Sequence, residues 1–310
     1  MTSPTHIAAT RRTTERIPTP SGAQIDAWLY LPEGDGPHPV VVMAHGFAAV
    51  KAGGLQPFAE RFQREGFAAI AFDYRGWADS SGEPREVVSV PHQRADYESV
   101  ITWAASHPRI DTKQIFAWGS SFSGIHAVAL AESDSRLAGA IGQSPLVDGL
   151  VAMTMAPPLH SLWLFALGLR DILGSALGRS PRYLPASAGP GKRAVFASDE
   201  ALAGLELTKP REPTRWNNQV AARSVLGLAA HRPVQNAARI TCPILLIVPE
   251  ADTVAPAGRT LVVAERAANA ELHRSKGGHY DVYEGGAAYE ETLRLEVEFL
   301  QRHTQTAAQR

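Results

Sequence analysis

The chain has 310 residues, which is enough for one large domain or two modest ones. Apolar residues make up 45% of it and charged residues 20%, an ordinary globular composition that argues against a disordered or fibrous protein. Thirty basic and 31 acidic side chains give a net charge of −1, so there is no basic excess with which to bind nucleic acid or an anionic membrane.

In chain order, the first pattern is an alternation of apolar residues over 25–31, which predicts an antiparallel pair at one edge of a sheet. Short apolar runs then predict five buried strands, at 40–44, 69–72, 114–118, 138–141 and 244–248. These runs are continuous, as strands of a parallel sheet covered on both faces require. Apolar stripes at helical spacing predict helices over 55–65 and 97–105. The sequence therefore predicts an α/β protein with a doubly wound, mostly parallel sheet.

This alternation of strands and helices stops after residue 141. From about 149 to 232 the chain is rich in Leu, Ala, Pro and Gly and has no convincing strand pattern. We interpret 149–232 as a helical insertion between two strands, with 1–148 and 233–310 forming the core. The apolar face around Met155 and Trp163 either lines a substrate pocket or only packs the insertion onto the core. An exposed part of that face would also offer a homodimer contact.

Other features bear on location and cofactors. The first twenty residues carry charges but no apolar core, so we expect no secretory signal and a cytoplasmic protein. No apolar run approaches the length of a membrane span, so no membrane partner is expected. The single cysteine, Cys242, excludes internal disulfides and a cysteine-based metal cluster. Because the sequence also lacks a phosphate-binding loop and an HExxH motif, we expect no cofactor and no metal.

The most informative segment for chemistry is 115–130. A strand-like run leads through the small residues GSSFSG (119–124) directly into an apolar helical stretch. This context is typical of a nucleophile elbow, in which small neighbours allow Ser121 to adopt a strained backbone and expose its hydroxyl. The motif departs from strict GxSxG, because Ser123 replaces the second glycine and Gly124 comes one residue later. The alternative interpretation is a Gly/Ser-rich turn without chemistry.

A serine nucleophile needs a base, and the base needs an acid. His279 is the best placed histidine, because it lies in a glycine-rich loop directly after a strand-like run at 270–274. Asp252 follows the predicted strand at 244–248, and the order Ser121, Asp252, His279 is the one expected for this topology. Two other acids remain candidates: Asp148 follows the preceding strand, and Glu250 shares the loop of Asp252.

Acyl transfer also needs amide donors for the oxyanion. The loop that starts at His45 follows the first long strand, so we assign one donor to the amide of Phe47 and the other to that of Phe122. We interpret His45 itself as a residue that shapes this loop. These groups all follow predicted strands, at the sheet edge where open α/β sheets place their sites. Three further residues are predicted substrate contacts: Met155, Trp163 and Tyr280.

Five segments carry a resemblance to a known superfamily: 41–62, 71–84, 115–127, 243–256 and 275–285. They resemble the α/β-hydrolase superfamily, near its dienelactone-hydrolase-like and X-Pro-dipeptidyl-peptidase-like branches. The resemblance implies that Ser121, Asp252 and His279 are nucleophile, acid and base, and that the insertion is a cap over the site. Dienelactone hydrolases proper use a cysteine nucleophile and haloalkane dehalogenases an aspartate, so neither activity carries over to a chain with Ser121.

The leading interpretation is a serine hydrolase that cleaves a small-molecule carboxylic ester, lactone or thioester. Related fungal polyketide transferases pass an acyl group to an alcohol, so an acyltransferase with the same triad is the alternative. A peptidase acting after proline is a third possibility, although such proteins are usually larger. A non-catalytic small-molecule binding protein is a fourth, and the intact Ser, Asp and His argue against it, because a receptor does not need all three.

Overall fold

A computed structural model of the chain describes residues 12–255 and 257–308. In chain order the strands are β1 (Arg12–Pro18), β2 (Gln24–Tyr30), β3 (His38–Ala44), β4 (Ala68–Phe72), β5 (Ile110–Ser120), β6 (Leu137–Gln143), β7 (Tyr183–Pro185), β8 (Ser187–Ala188), β9 (Phe196–Ala197), β10 (Gln219–Ala221), β11 (Ile244–Pro249) and β12 (Ala270–Ser275). Eight of these strands form one sheet in the order β1-β2-β4-β3-β5-β6-β11-β12.

The sheet is parallel except at one edge. β1 pairs antiparallel with β2, and β2 pairs antiparallel with β4, whereas the other neighbours are parallel. The central strands β3, β4, β6 and β11 and the second half of β5 are almost completely buried, which explains why their sequences are continuously apolar. The predicted doubly wound sheet with an antiparallel edge pair is therefore confirmed.

Helices cover both faces of this sheet. Their bounds are α1 (Gln56–Arg64), α2 (Val90–Ser106), α3 (Gly124–Ser133), α4 (Gly149–Met155), α5 (Pro158–Ala176), α6 (Asp199–Leu207), α7 (Ala257–Arg266) and α8 (Tyr289–Ala308). α1 and α8 pack on one face, with Phe58 and Leu293 in its core cluster. α2, α3 and α7 pack on the other, with Tyr97 and Val263 in that core. Both predicted helices are present, and α2 begins seven residues before the predicted start at 97.

The insertion between β6 and β11 is less purely helical than expected. It contains α4, α5 and α6, but also β7 paired with β10 and β8 paired with β9, each strand only two or three residues long. The expectation of no strand in 149–232 was therefore wrong. Strands this short have no room for a recognisable period, so only the fold itself brings them together. Among the described residues, no helix is long and apolar enough to cross a membrane.

Candidate active site

The fold brings the three predicted triad residues into one hydrogen-bonded chain. The Nε2 atom of His279 lies 2.7 Å from the hydroxyl oxygen of Ser121. On the other side of the ring, Nδ1 lies 2.8 Å from the Oδ2 atom of Asp252. Ser121 directly follows β5, whereas Asp252 and His279 lie in the loops after β11 and β12, and the carboxyl ends of such parallel strands meet at one sheet edge. The arrangement allows a proton to pass from the serine to the histidine, with the carboxylate fixing the ring.

Ser121 occupies a sharp turn between β5 and α3. Its φ of 56° lies in the left-handed region, where a non-glycine residue is strained. The neighbouring glycines make this turn possible, because a Cβ on Gly119 would lie 2.3 Å from the carbonyl oxygen of Ser123. A Cβ on Gly124 would likewise lie 2.3 Å from the Cβ of Pro145. The turn is thus the strained strand-to-helix junction expected of a nucleophile elbow.

The departure from the strict GxSxG motif has a physical explanation. The side chain of Ser123 is fully buried, and its hydroxyl donates to the carbonyl of Ala44 at 2.6 Å, with the carbonyl of Ser120 at 3.0 Å as a second acceptor. A hydroxymethyl group at this position therefore links the elbow to the end of β3. The residue that must lack a side chain because of Pro145 is Gly124, one position later.

The two rival acids do not reach the histidine. Asp148 accepts hydrogen bonds from Arg232 at 2.8 Å and from Arg259 at 2.9 Å, and its side chain caps α4. Burial would raise the pKa of Asp148, but the hydrogen bonds from Arg232 and the arginine charges outweigh it and hold the pKa below its ordinary value. Glu250 is exposed in the turn after β11. Of the three acids, only Asp252 contacts His279.

The Asp252 carboxylate is itself held in place by its own loop. Its Oδ1 atom accepts the backbone N–H groups of Val254 at 2.8 Å and Ala255 at 2.7 Å, which leaves Oδ2 for His279. The side chain is almost completely buried, so its orientation is set by these bonds. A carboxylate oriented in this way favours the tautomer of His279 that keeps Nε2 free to accept the serine proton.

The proposed oxyanion donors lie on either side of Ser121. The amide of Phe47 makes no hydrogen bond within the described part of the chain. The amide of Phe122 lies in the first turn of a 3₁₀ helix (Ser121–Ser123), where no helical acceptor is available. The two rings also pack edge to face, with centroids 5.7 Å apart, which couples the two backbone segments. His45 is buried and contacts Gly46, Asp73 and Tyr74, as expected of a loop-shaping residue.

Two cavities meet at Ser121. The larger, of about 660 Å³, lies under α4 and α5, and its lining is mostly apolar and includes Met155 and Trp163. The smaller, of about 50 Å³, lies between the Phe47 loop and Tyr280. The three predicted substrate contacts therefore all line a cavity that reaches Ser121. Within the described ranges, 12–255 and 257–308, no three His, Cys, Asp or Glu side chains are grouped as a metal site would need.

Comparison with known proteins places this site in a family. The X-Pro dipeptidyl-peptidase (S15) family matches residues 21–281 of the chain. The quorum-quenching protein AidA of Acinetobacter baumannii is 37% identical over 276 residues, which are 89% of this chain and 90% of AidA. This chain belongs to the X-Pro dipeptidyl-peptidase (S15) family.

Solved structures share the fold of this chain. The α/β hydrolase GrgF from Penicillium sp. sh18 superposes with a TM-score of 0.79 at 26% identity, over 94% of this chain and 99% of GrgF. The DcsB complex with its substrate analogue superposes with a TM-score of 0.83 at 24% identity, over 94% of this chain and 99% of DcsB. The S15-family chain is therefore a hydrolase with the α/β-hydrolase fold, as its resemblance implied.

The sequence reasoning missed one residue of this S15-family chain, which lies in the insertion and binds the loop that carries His279. Glu200, in the first turn of α6, accepts hydrogen bonds from the backbone N–H of His279 and from the hydroxyl of Thr253. It also accepts the backbone N–H of Thr253 at 3.1 Å. One carboxylate therefore connects the loop of His279 to the loop of Asp252. A glutamate within the predicted helical insertion gives no sequence signal for this role.

A buried ionic cluster behind the Phe47 loop was also missed. The ammonium group of Lys51 binds the carboxylates of Asp26 and Asp73, and all three side chains are nearly inaccessible to solvent. The backbone N–H of Lys51 donates to Asp73 at 2.6 Å. Burial alone would lower the pKa of Lys51, but the two carboxylates outweigh it and raise the pKa, so the lysine stays charged. The cluster fastens the loop after β3 to the ends of β2 and β4.

Proposed function

We propose that this chain is a serine hydrolase that cleaves a carboxylic ester, lactone or thioester through an acyl-enzyme intermediate. One observation carries the proposal: hydrogen bonds of 2.7 and 2.8 Å join Ser121, His279 and Asp252, and Ser121 lines a mostly apolar cavity of about 660 Å³. A histidine bonded to both a serine hydroxyl and a buried carboxylate is the arrangement that activates a serine.

In the proposed mechanism, Ser121 attacks the substrate carbonyl while His279 takes the hydroxyl proton. Asp252 orients the ring and stabilises the imidazolium that forms. The amides of Phe47 and Phe122 donate to the oxygen of the tetrahedral intermediate. His279 then gives its proton to the leaving group, and a water molecule activated by the same histidine releases the acyl group.

We further propose that residues 149–232 act as a cap that shapes the substrate site. Met155 and Trp163 belong to this segment, and both line the large cavity. An apolar lining of this volume is typical of small-molecule sites, and it favours an aliphatic or aromatic acyl group. Tyr280 lies on the other side of Ser121, where it lines the small cavity.

Acyl transfer to an alcohol is a second candidate, because the polyketide transferase grgF of Penicillium sp is 28% identical over 291 residues, covering 92% of this chain and 94% of grgF. The same triad serves both reactions, and an acceptor alcohol then replaces water in the second step. Product analysis with a competing alcohol distinguishes them: free acid as the main product supports the hydrolase, and ester of the added alcohol supports the transferase.

A homodimer and a cytoplasmic location complete the proposal. The outer face of α5 exposes large apolar side chains at helical spacing, which supports pairing with a second copy of the chain. They are Leu162, Leu169, Ile172 and Leu173. Leu162→Lys should then shift the protein from dimer to monomer in light scattering.

With one cysteine the chain has no internal disulfide that would suit an oxidising compartment, and cell fractionation tests the location.

The proposed function is tested by the intact mass after exposure to a fluorophosphonate probe. The wild-type protein should gain one adduct, and Ser121→Ala should gain none. Ser133→Ala serves as the matched control, because Ser133 is an exposed serine at the end of α3, and it should keep the adduct. An adduct on Ser121→Ala, or none on folded wild type, would contradict the proposal.

A further inference from the structure

The two cavities at Ser121 differ in size and in polarity. The large cavity is walled by apolar side chains such as Phe122, Leu146 and Leu228. The small one has room for on the order of two water molecules, and hydroxyl and amide side chains form much of its wall. Phe47, Ser121, Phe196 and Val254 line both cavities, so the two spaces are arms of a single site. A bound ester must place its acyl part in one arm and its alcohol part in the other.

The position of the base distinguishes the arms. His279 must protonate the oxygen of the departing alcohol, so the alcohol part has to lie on the histidine side of Ser121. The ring of Tyr280 packs edge to face on the ring of His279, with centroids 4.8 Å apart. Tyr280 lines the small arm and is not part of the wall of the large one. The small arm is therefore the one beside the base.

The small arm also offers free hydrogen-bonding groups. Within the described part of the chain, the hydroxyls of Tyr280 and Ser187 form no hydrogen bond, although both residues line this arm. Ser187 is fixed by its backbone, which exchanges hydrogen bonds of 3.0 and 2.7 Å with the side-chain amide of Asn218. Burial raises the pKa of Tyr280 well above its ordinary value, so its hydroxyl stays protonated and can donate.

The small arm is also walled rigidly. The indole nitrogen of Trp216 donates to the carbonyl of Ala48 at 3.0 Å, and the hydroxyl of Tyr283 donates to Ser120 at 2.6 Å. Both rings are thus held by bonds to the backbone or to the elbow, so the arm does not widen by a simple side-chain rotation. A long alkyl chain or a carrier arm does not fit into this volume.

From these observations we infer that the substrates are esters of medium-length apolar acids with a compact, hydrogen-bonding alcohol, and that Tyr280 is a specificity-determining residue for that alcohol. The acyl chain occupies the large arm under α4 and α5, and the alcohol occupies the small arm beside His279. This inference rests on the proposed serine-hydrolase function and narrows it. It excludes the reverse orientation, in which a long alcohol occupies the large arm.

The orientation is tested with two isomeric esters, methyl hexanoate and pentyl acetate, which contain the same atoms but carry the chain on opposite sides of the ester bond. We expect the wild-type kcat/KM for methyl hexanoate to exceed that for pentyl acetate by about tenfold or more, the scale of discrimination between methylenes in a pocket. Equal values, or a preference for pentyl acetate, would overturn the orientation while leaving the hydrolase intact. Failure to hydrolyse either ester, together with no fluorophosphonate adduct, would overturn the proposed function and the inference with it.

The role of Tyr280 is tested with 2-hydroxyethyl hexanoate and propyl hexanoate, whose alcohols have nearly the same size but differ by one hydroxyl. Tyr280→Phe should lower the ratio of their kcat/KM values (hydroxyethyl over propyl) by about three- to tenfold, as expected for one lost neutral hydrogen bond. A purely structural role would lower both values equally and leave the ratio unchanged, which would overturn the assignment. Tyr183→Phe is the matched control, because Tyr183 donates to Arg85 away from both arms; it should not change the ratio.

Discussion

The buried glutamate of the C-terminal helix makes stability depend on pH in a way that can be isolated by one substitution. Glu296 lies on α8 and is completely buried, and its Oε1 atom accepts the indole N–H of Trp118 at 3.0 Å. Trp118 lies on β5, three residues before Ser121. Burial raises the pKa of Glu296 to about 8, and the bond from Trp118 only partly opposes this.

The sign of the effect follows from the direction of this shift. Below about pH 4.5 the carboxyl of Glu296 is protonated in the folded and in the unfolded state, and its contribution to stability is fully present. As the pH rises towards 8 the unfolded chain loses this proton while the folded protein keeps it, so the free energy of unfolding falls. Above about pH 8 both states are ionised and the loss is complete.

The size of this loss of unfolding free energy follows from the folded and the ordinary pKa of Glu296. The difference between about 8 in the folded protein and the ordinary 4.5 is about 3.5 pH units. At about 1.4 kcal/mol per unit the full loss is about 5 kcal/mol. Glu296→Gln is neutral at every pH and has the same shape, so this loss should be absent from the variant. The variant should therefore become more stable than wild type as the pH rises from about 5 to about 8.

Urea unfolding of both proteins at about one-unit pH steps measures this difference. Other groups titrate equally in the two proteins, so the difference in unfolding free energy isolates Glu296. Glu298→Gln is the matched control, because Glu298 lies on the same helix but is partly exposed and paired with Arg294 at 2.6 Å. A difference between Glu296→Gln and wild type that stays constant over this pH range would refute the reasoning.

Three further predictions concern the site. Asp252→Asn should lower kcat by about 10⁴-fold in an ester assay, by analogy with other triad aspartates. Asp148→Asn should instead lower the free energy of unfolding in urea by about 2 kcal/mol or more, because Arg232 and Arg259, both partly exposed, then lose their buried carboxylate partner. An Asp148 variant with the larger loss of kcat would contradict this assignment. Glu200→Gln should lower kcat about tenfold with little change in melting temperature, because an amide NH₂ then faces backbone donors. An unchanged kcat would show that the loop of His279 does not need the carboxylate. Lys51→Met should lower the unfolding free energy by about 3 kcal/mol, since the buried Asp73 loses its ammonium partner and the buried Asp26 keeps the half-exposed Arg16 at 3.2 Å. A loss below about 1 kcal/mol would show that the cluster is not a buried charge system.

The parts of the site that the sequence predicts are those that depend on strand ends. Ser121 and Asp252 follow apolar runs and His279 follows a strand-like one, and in a parallel sheet the ends of neighbouring strands meet at one edge. The same reasoning left Asp148 as a rival, because it follows β6, the immediate neighbour of β11. Only the structure distinguishes the two acids, since the arginines that bind Asp148 are 84 and 111 residues away in sequence.

The parts that the sequence does not predict depend on contacts between the insertion and the core. Glu200 is 79 residues from His279, and nothing in the local sequence of α6 indicates which loop the helix will face. Lys51 likewise reads as an ordinary exposed residue of a loop, although it is buried between two carboxylates. Side chains with this kind of role are fixed by tertiary packing, which period and propensity do not encode.

The insertion is connected to both loops that are proposed to carry the chemistry. Glu200 holds the N–H of His279, and Trp216 holds the carbonyl of Ala48, the residue after the proposed oxyanion donor Phe47. A segment that only covered the substrate would need neither bond. Because the same segment also forms part of the walls of both cavities, changes that reshape the pocket near these contacts should alter kcat as well as KM. We therefore expect substrate selection and catalytic geometry to be coupled in this protein.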